Sequence, residues 1–167
     1  QTLFLSAAST AVLAYLTYLT LTNLANLKVV IQWHVDHKFR FYRLSSDMFP
    51  HISQPELENL MVPTDKIYYQ SLEFAKPIIH EIAVLAHNAN MRLTMHPGQF
   101  NNLGSDKVDV VKKTVIDLAW HTLFLDIMEK HLNQTYNVTD SMKNSILCIH
   151  GGGVYGDKAS AIDRWKR

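Results

Sequence analysis

The chain has 167 residues, a formal net charge of +1 and a hydrophobic content of 47%. This composition is typical of one globular domain and excludes a disordered or fibrous protein. The near-neutral charge gives no electrostatic signature of nucleic-acid binding, so a DNA-binding function would have to depend on local features. The single cysteine, Cys148, excludes an internal disulfide bond and fits a reducing compartment.

The first 27 residues carry no charged side chain. Such a stretch is compatible with a membrane span or a signal sequence. Serine and threonine are interspersed through it, however, no basic segment precedes it, and a helix buried against a sheet has the same composition. We therefore expect a buried helix from Ala11 to His37, with Leu24, Leu27, Val30 and Ile31 on one stripe. Residues 1–13 form a separate apolar segment without an assigned role.

A strand, a loop and a long helix are predicted next. Phe39 to Leu44 reads as the first strand, and residues 45–63 form a loop without helical periodicity. Apolar residues then recur at helical spacing from Thr64 to Asn88, namely at Tyr68, Leu72, Ala75, Ile79, Ile82 and Ala86. Thr64 and Asp65 supply oxygens for capping the first turn. Pro77 lies off the apolar stripe and predicts a kink on the exposed side of one helix.

The second half repeats the order of strand, loop and helix. Met91 to Met95 is the second predicted strand, and residues 97–105 form a loop. A helix is predicted from Asp106 to His131, with an apolar face of Val108, Val111, Val115 and Leu118. Residues 132–144 are polar and predict an exposed excursion. Ser145 to Ile149 is the third predicted strand, followed by a glycine-rich loop over 151–156 and a helix from residue 157.

Strands that alternate with helices indicate an α/β fold with a parallel sheet and helical crossovers. Three strands are too few to close a barrel. We therefore expect the chain to be part of a larger protein.

Two histidines, His96 and His150, follow directly on predicted strands. In parallel α/β folds, ligands and metals gather where strands end at their carboxyl side. Two imidazoles on neighbouring strands would suit one divalent metal ion. The alternative is that each histidine caps its loop by hydrogen bonding. Most of the other histidines look structural, because they lie at or within predicted helices, away from strand ends. They are His34, His37, His80, His87, His121 and His131.

Glycines and an aromatic residue flank these histidines. Gly98 and the glycines at 151–153 let the backbone approach a ligand closely, or they form flexible turns. The triple glycine lacks the spacing of a dinucleotide fingerprint. Phe100 is either a core residue or an exposed wedge that stacks on bases, and its position alone favours the core. Asp47, after the first strand, would orient a ligand or cap a turn.

Three sequence blocks together resemble the UV-damage endonuclease family. They are residues 41–50, FYRLSSDMFP, residues 96–100, HPGQF, and residues 150–158, HGGGVYGDK. They occur in the order that the family has, and residues 26–28 with Trp33 resemble the helix before the first block. The resemblance runs from about Tyr15 to Arg167 and gives one partial domain over 14–167.

The resemblance implies about three βα units of an incomplete TIM-type (β/α)8 barrel. It implies a nuclease that incises damaged double-stranded DNA 5′ to UV-induced or other distorting lesions, using divalent metal ions. Manganese is the first expectation, with zinc and magnesium as alternatives. By motif, His96 and His150 match metal ligands, and Gln99 with Phe100 matches a pair that probes the duplex. Tyr155 and Lys158 lie in the third block, where phosphate contact is expected.

One position departs from the family pattern. Gln54, in Ser53-Gln54-Pro55, stands where the family has a histidine, and His51 lies three residues earlier. Glutamine is a poor, neutral metal ligand, so either His51 replaces it or this contact is lost. We expect the remaining ligands outside this chain and no activity from the chain alone.

Two alternatives remain open from the sequence. A metal-dependent sugar isomerase or epimerase on a related barrel would also place histidines at strand ends. A fragment without catalytic activity would need no complete metal site. The nuclease predicts that Gln99 and Phe100 are exposed to solvent, whereas the isomerase predicts that they line a small closed pocket. For the nuclease we expect an intracellular location, no membrane contact and no obligate protein partner.

Overall fold

The structure, a computed structural model, describes residues 2–143, 145–154 and 156–166, with backbone alone for residues 2–6. In chain order the described elements are α1 (Thr2–Asp36), β1 (Phe41–Leu44), α2 (Leu57–Leu60), α3 (Pro63–Ser71), α4 (Lys76–Asn88), β2 (Arg92–Met95), α5 (Val108–Tyr136) and α6 (Lys158–Trp165). Short 3-10 turns at Ser46–Met48 and Glu73–Ala75 lie before α2 and α4. The segment predicted as a plain loop, 45–63, therefore contains a 3-10 turn and a short helix.

The predicted parallel pairing of the first two strands is confirmed. β1 and β2 run parallel, in a register from Phe41 opposite Arg92 to Leu44 opposite Met95. The third predicted strand, 145–149, is reduced to one parallel bridge between Met95 and Leu147. Two backbone hydrogen bonds form this bridge, from the Met95 N–H to the Ile146 carbonyl at 2.9 Å and from the Cys148 N–H to the Met95 carbonyl at 2.8 Å. The bridge still places the segment before His150 beside the end of β2.

Helix α1 begins earlier than the apolar pattern predicted. No glycine or proline interrupts residues 2–10, so the helix extends back from Ala11 to Thr2 and crosses the predicted boundary at residue 13. Its buried stripe includes Leu16, Leu24, Leu27 and Ile31, whereas Val30 lies partly in solvent. None of the helices in the described segments combines the length and hydropathy that a membrane crossing requires. The division between 1–13 and 14–167 stays a prediction.

The long helix predicted over 64–88 is wrong, because the chain breaks at Leu72. Leu72 adopts the left-handed conformation, with φ of 56°, and its side chain is buried. Its fit in the core compensates for a backbone conformation that disfavours a branched side chain. Pro77 consequently lies in the first turn of α4, where its missing N–H costs nothing. The expected kink at Pro77 does not form.

The start of α3 also differs from the prediction. Val62 is the N-cap residue and Pro63 occupies the first turn, without a side-chain cap. The Asp65 carboxylate instead accepts a 2.6 Å hydrogen bond from the hydroxyl of Ser9 on α1. That hydroxyl in turn accepts from the Val62 N–H at 2.8 Å. The Asp65 side chain, predicted as a cap, therefore joins α3 to α1.

Helix α5 buries a different face from the one predicted. Val108 and Val115 are exposed. The buried face comprises Thr114, His121, Phe124, Ile127, Met128 and Leu132. Phe124 packs edge-on against Phe49 at 5.0 Å between ring centroids and anchors α5 in the core. Thr114 and Asp117, in the first half of α5, hydrogen-bond to the loops that follow β1 and β2, and these contacts position the site.

Candidate functional site

His96 and His150 are brought together at the end of the sheet. Their ring centroids lie 4.5 Å apart, with an angle of 51° between the ring planes. His96 Nδ1 lies 2.8 Å from the carbonyl oxygen of Cys148. Since a carbonyl oxygen only accepts, Nδ1 carries the proton and the lone pair is on Nε2. A backbone hydrogen bond of this kind orients metal-binding histidines and fixes their tautomer.

The two imidazoles fit part of a metal site. Nitrogen donors of this kind suit Mn²⁺ and Zn²⁺. Among the described residues, no group of three or more histidine, cysteine, aspartate or glutamate side chains is arranged to hold a metal ion. The role of the pair as two ligands of a larger set stays a prediction.

The proposed third ligand lies in a separate groove. His51 and Gln54 are exposed and line a groove of about 380 Å³ together with Asp47. Neither His96 nor His150 is among the described residues that line this groove. Asp47 closes a turn, since its N–H donates to the Ser45 hydroxyl at 3.2 Å. The choice between His51 and Gln54 as a ligand stays a prediction.

Phe100 stands out of the loop that follows β2. Its side chain is 84% exposed, so the core position favoured by sequence position alone is wrong. Gln99 beside it is exposed as well. The next residue, Asn101, is buried, and its N–H donates to the Gly98 carbonyl at 3.0 Å, which closes a tight turn. The turn thus presents Gln99 and Phe100 to solvent from a fixed base.

Two grooves meet at Phe100. The larger, about 480 Å³, is lined on the α5 side by Val110, Lys113 and Asp117. The smaller, about 240 Å³, is lined by Gln99, Val110 and Lys107. Phe100 and Val110 line both, so the ring forms the ridge between the two grooves. Neither lysine ammonium makes an ion pair with any described residue. The sequence patterns did not single out these two lysines.

Asp117 is a further residue that the sequence did not single out. Its Oδ1 accepts a 2.6 Å hydrogen bond from the Ser53 hydroxyl, and its Oδ2 accepts a 2.8 Å hydrogen bond from the Asn101 side-chain amide. Its backbone carbonyl accepts from Nδ1 of buried His121 at 2.7 Å. Asp117 and His121 are four residues apart on a helix, which was the available signal that they share a face.

The glycine-rich loop packs closely against the loop after β2. Gly152 has φ of 69°, and a Cβ atom there would lie 2.6 Å from the Asn102 side chain. Glycine is therefore required for both conformation and space. The Trp165 indole N–H donates to the Gly151 carbonyl at 3.1 Å, which ties α6 to the same loop.

The last two predicted DNA contacts are Lys158 and Tyr155. Lys158 is exposed in the first turn of α6, and its role stays a prediction. Tyr155 lies outside the described residues. Asp157 caps α6 by accepting from the Ser160 N–H at 3.0 Å. The Ser160 hydrogen bonds hold the pKa of Asp157 below its usual range.

Several other histidines make ring contacts away from this site. His80 on α4 stacks on His131 of α5 at 3.9 Å between centroids, with a 3° angle between the planes. Partial burial, followed by the neighbouring His131 and Lys76, lowers the pKa of His80. His37 stacks on Trp33 at 4.0 Å. These contacts agree with the structural roles expected from their positions at or within predicted helices.

Comparison with known proteins adds the family relationship. The model of the family described as UV-endonuclease UvdE matches residues 5–167. A relative in Acanthamoeba polyphaga mimivirus, named as a UV-damage endonuclease, is 39% identical over 140 residues, which are 84% of this chain and 37% of the relative. The UV-damage endonuclease of Schizosaccharomyces pombe is 34% identical over 138 residues, covering 83% of this chain and 20% of that protein.

A solved structure supports the fold. The crystal structure of SacUVDE matches with a TM-score of 0.71 at 24% identity, covering 91% of this chain and 45% of that chain. This likeness confirms the predicted fold class, α/β as part of a TIM-type barrel. The chain spans 37% of the mimivirus relative and 20% of the yeast relative.

Proposed function

This chain belongs to the UV-endonuclease UvdE family, and from that membership we propose that it forms part of a metal-dependent DNA-repair endonuclease. The substrate is double-stranded DNA with UV-induced or other distorting lesions, and the cut lies 5′ to the lesion. One observation carries the proposal: a pair of imidazoles lies 4.5 Å apart at the end of the sheet, and the loop that begins at one of them, His96, carries a phenylalanine ring that is 84% exposed. The chain spans 37% of the length of its mimivirus relative, so the activity is proposed for the whole protein.

His96 and His150 would hold a divalent metal ion through their unprotonated ring nitrogens. Such an ion supplies Lewis acidity toward a phosphate oxygen and lowers the pKa of a bound water. Neutral imidazole ligands leave the positive charge of the ion available to the anionic DNA backbone. The Cys148 carbonyl keeps His96 in the tautomer that this role needs.

Gln99 and Phe100 would recognise the lesion. A damaged step is weakly stacked and costs less to open than an intact one, so damage is read as deformability. An exposed ring held on a closed turn can enter such a step and replace the lost base stacking. Gln99, next to it, offers both a hydrogen-bond donor and an acceptor to base edges.

The exposure of this pair favours the nuclease over the isomerase alternative. A sugar isomerase would enclose a small substrate, and Gln99 and Phe100 would then line a closed pocket. Both side chains are open to solvent, and Phe100 lies between two open grooves. Exposed surface of this kind favours a large substrate such as duplex DNA.

An incision assay on the full polypeptide that carries this chain tests the proposal. The substrate is a 5′-labelled duplex with one UV-induced pyrimidine dimer, and the control is the same duplex without damage. We expect one product cut 5′ to the dimer in Mn²⁺, loss of cutting with a chelator, and loss of cutting in His96→Ala and His150→Ala. Equal cutting of both duplexes, or cutting that persists with chelator, would contradict the proposal.

A further inference from the structure

We propose that Asp117 is a positioning residue that holds the two loops beside Phe100 in a single arrangement. The inference rests on the proposed function, since it assigns Asp117 to lesion recognition. Asp117 would act through the loops that it anchors and would not contact DNA itself.

The two carboxylate oxygens bind different loops. Oδ1 accepts from Ser53, which lies in the loop after β1 next to Gln54. Oδ2 accepts from Asn101, which lies in the loop after β2 next to Phe100. Hydrogen bonds to a charged acceptor are stronger than those between neutral groups. One carboxylate on a helix therefore joins two loops that are far apart in the chain.

Asn101 transmits this anchoring to the aromatic turn. Its side-chain amide donates to Asp117 at 2.8 Å and also to the Gly98 carbonyl at 3.2 Å. Asn101 is only 6% exposed, so its polar groups depend on these protein partners. The Asn101 side-chain amide thus stabilises the turn that exposes Phe100 and also binds Asp117.

Neighbouring side chains also hold the Asp117 backbone and the two loops in place. His121, one turn further along α5, is buried and donates to the Asp117 carbonyl. Thr114, one turn earlier, accepts from the Asn102 N–H at 3.0 Å and holds the same loop at a second point. The loop after β1 is also held by Gln70, whose amide donates to the Ile52 carbonyl at 3.0 Å. Each loop therefore keeps a second anchor without Asp117, but loses its link to the other loop.

Replacing Asp117 by asparagine tests this role with little change in shape. An amide has one accepting oxygen, so either Ser53 or Asn101 would face an N–H group and lose its acceptor. Asp126→Asn is the matched control, because Asp126 is an exposed carboxylate on the same helix and its replacement changes the net charge equally. Ser53→Ala removes one of the two contacts and leaves Asn101 with its acceptor.

Amide hydrogen exchange and DNA-binding anisotropy on the full polypeptide that carries this chain are the two measurements. In Asp117→Asn we expect faster exchange in residues 51–55 or 98–102, with a nearly unchanged thermal transition. The preference for a dimer-containing duplex over an undamaged one should fall about threefold to tenfold, less than on removal of the Phe100 ring. Asp126→Asn should change neither quantity. Ser53→Ala should speed exchange in 51–55 and leave 98–102 protected.

The two measurements separate this inference from the proposed function. If the unmodified chain has no preference for damaged DNA, the proposed recognition role of the site fails, while exchange still reports on the loops. If Asp117→Asn leaves exchange in both loops unchanged, the positioning role is overturned even where lesion preference exists. Faster exchange with an unchanged lesion preference would make Asp117 merely structural and would also overturn it. If Asp117→Asn does not fold, Ser53→Ala replaces it in both measurements. Unchanged exchange in residues 51–55, or faster exchange with an unchanged lesion preference, would then overturn the positioning role.

Discussion

The ring centroids of His96 and His150 lie 4.5 Å apart, and the backbone of Cys148 orients the first of the two rings. The Cys148 carbonyl accepts from His96 Nδ1, and the Cys148 N–H donates to the Met95 carbonyl at 2.8 Å. The same short segment therefore pairs with β2 and orients the His96 imidazole. It also carries the second imidazole, that of His150, which lies two residues after Cys148. Backbone hydrogen bonds hold this segment against β2. The remaining histidine should therefore keep its position when the other ring is removed.

The first prediction concerns metal binding by this pair. His96→Ala and His150→Ala should each lower the affinity of the chain for Mn²⁺ by at least about tenfold, since loss of an outer-shell partner alone typically costs about 10–100-fold. His131→Ala is the control, because its ring stacks on His80 away from the sheet end. Calorimetric titration of the three variants measures the change. An equal affinity for all three would exclude the pair as ligands.

A second prediction concerns the core that supports the site. Leu24 on α1 is fully buried, whereas Val29 on the same helix is 69% exposed. Leu24→Ala should lower the free energy of unfolding by about 2–5 kcal/mol, because it removes buried methyl groups and leaves a cavity. Val29→Ala should change it by less than about 0.5 kcal/mol. Urea titration measures both, and a similar small effect in both variants would contradict the placement of α1.

The third prediction is a pH dependence that comes from His80. Burial, His131 and Lys76 lower its pKa in the folded chain below the ordinary value. The folded state therefore disfavours the proton, so this contribution to stability is present at neutral pH and is lost as the pH falls below the ordinary pKa. The free energy of unfolding should fall from about pH 8 to about pH 5, and less so in His80→Gln. His37→Gln, as control, should keep the wild-type decline.

Repeating patterns in the sequence predicted the elements of the fold but not their breaks. The buried positions Leu24, Leu27 and Ile31 and the parallel pairing of the first two strands are confirmed, whereas the third predicted strand is reduced to one bridge. The break at Leu72 was missed because a buried leucine in a left-handed conformation leaves no local signal. Its conformation depends on tertiary packing, which outweighs local propensity.

The site could be predicted only in part, because some of its residues are also positioned by tertiary contacts. Histidines at strand ends are visible in a sequence because strand ends converge in parallel folds. Asp117 lies on a helix whose apolar pattern pointed to a different face, so its contact with Ser53 could not be anticipated. The exposure of Phe100 depends on the turn closed by Asn101, and sequence position alone had favoured the core.

The fourth prediction uses salt to count contacts with the DNA backbone. Lys113 lines the larger groove beside Phe100, whereas its neighbour Lys112 is exposed and lines neither groove that Phe100 borders. A lysine that neutralises one phosphate contributes about one to the slope of log affinity against log salt. Lys113→Gln should therefore reduce that slope by about one, and Lys112→Gln should reduce it less. Equal slopes for the two variants would place the DNA elsewhere.

The last prediction tests whether Phe100 reads the lesion. Stacking of an aromatic side chain on a base contributes about 1–3 kcal/mol, so Phe100→Ala should weaken binding to a dimer-containing duplex by about tenfold. Its ring is 84% exposed, so the thermal transition and the Mn²⁺ affinity should stay as in the unmodified chain. Phe39→Ala is the control, because that ring is 50% exposed but precedes β1, at the opposite end of the sheet. Fluorescence anisotropy with damaged and undamaged duplexes measures the effect. A residue that recognises the lesion must affect binding to the damaged duplex alone. Equal weakening on both duplexes would therefore make Phe100 a general DNA contact, and unchanged binding on both would remove it from the interface.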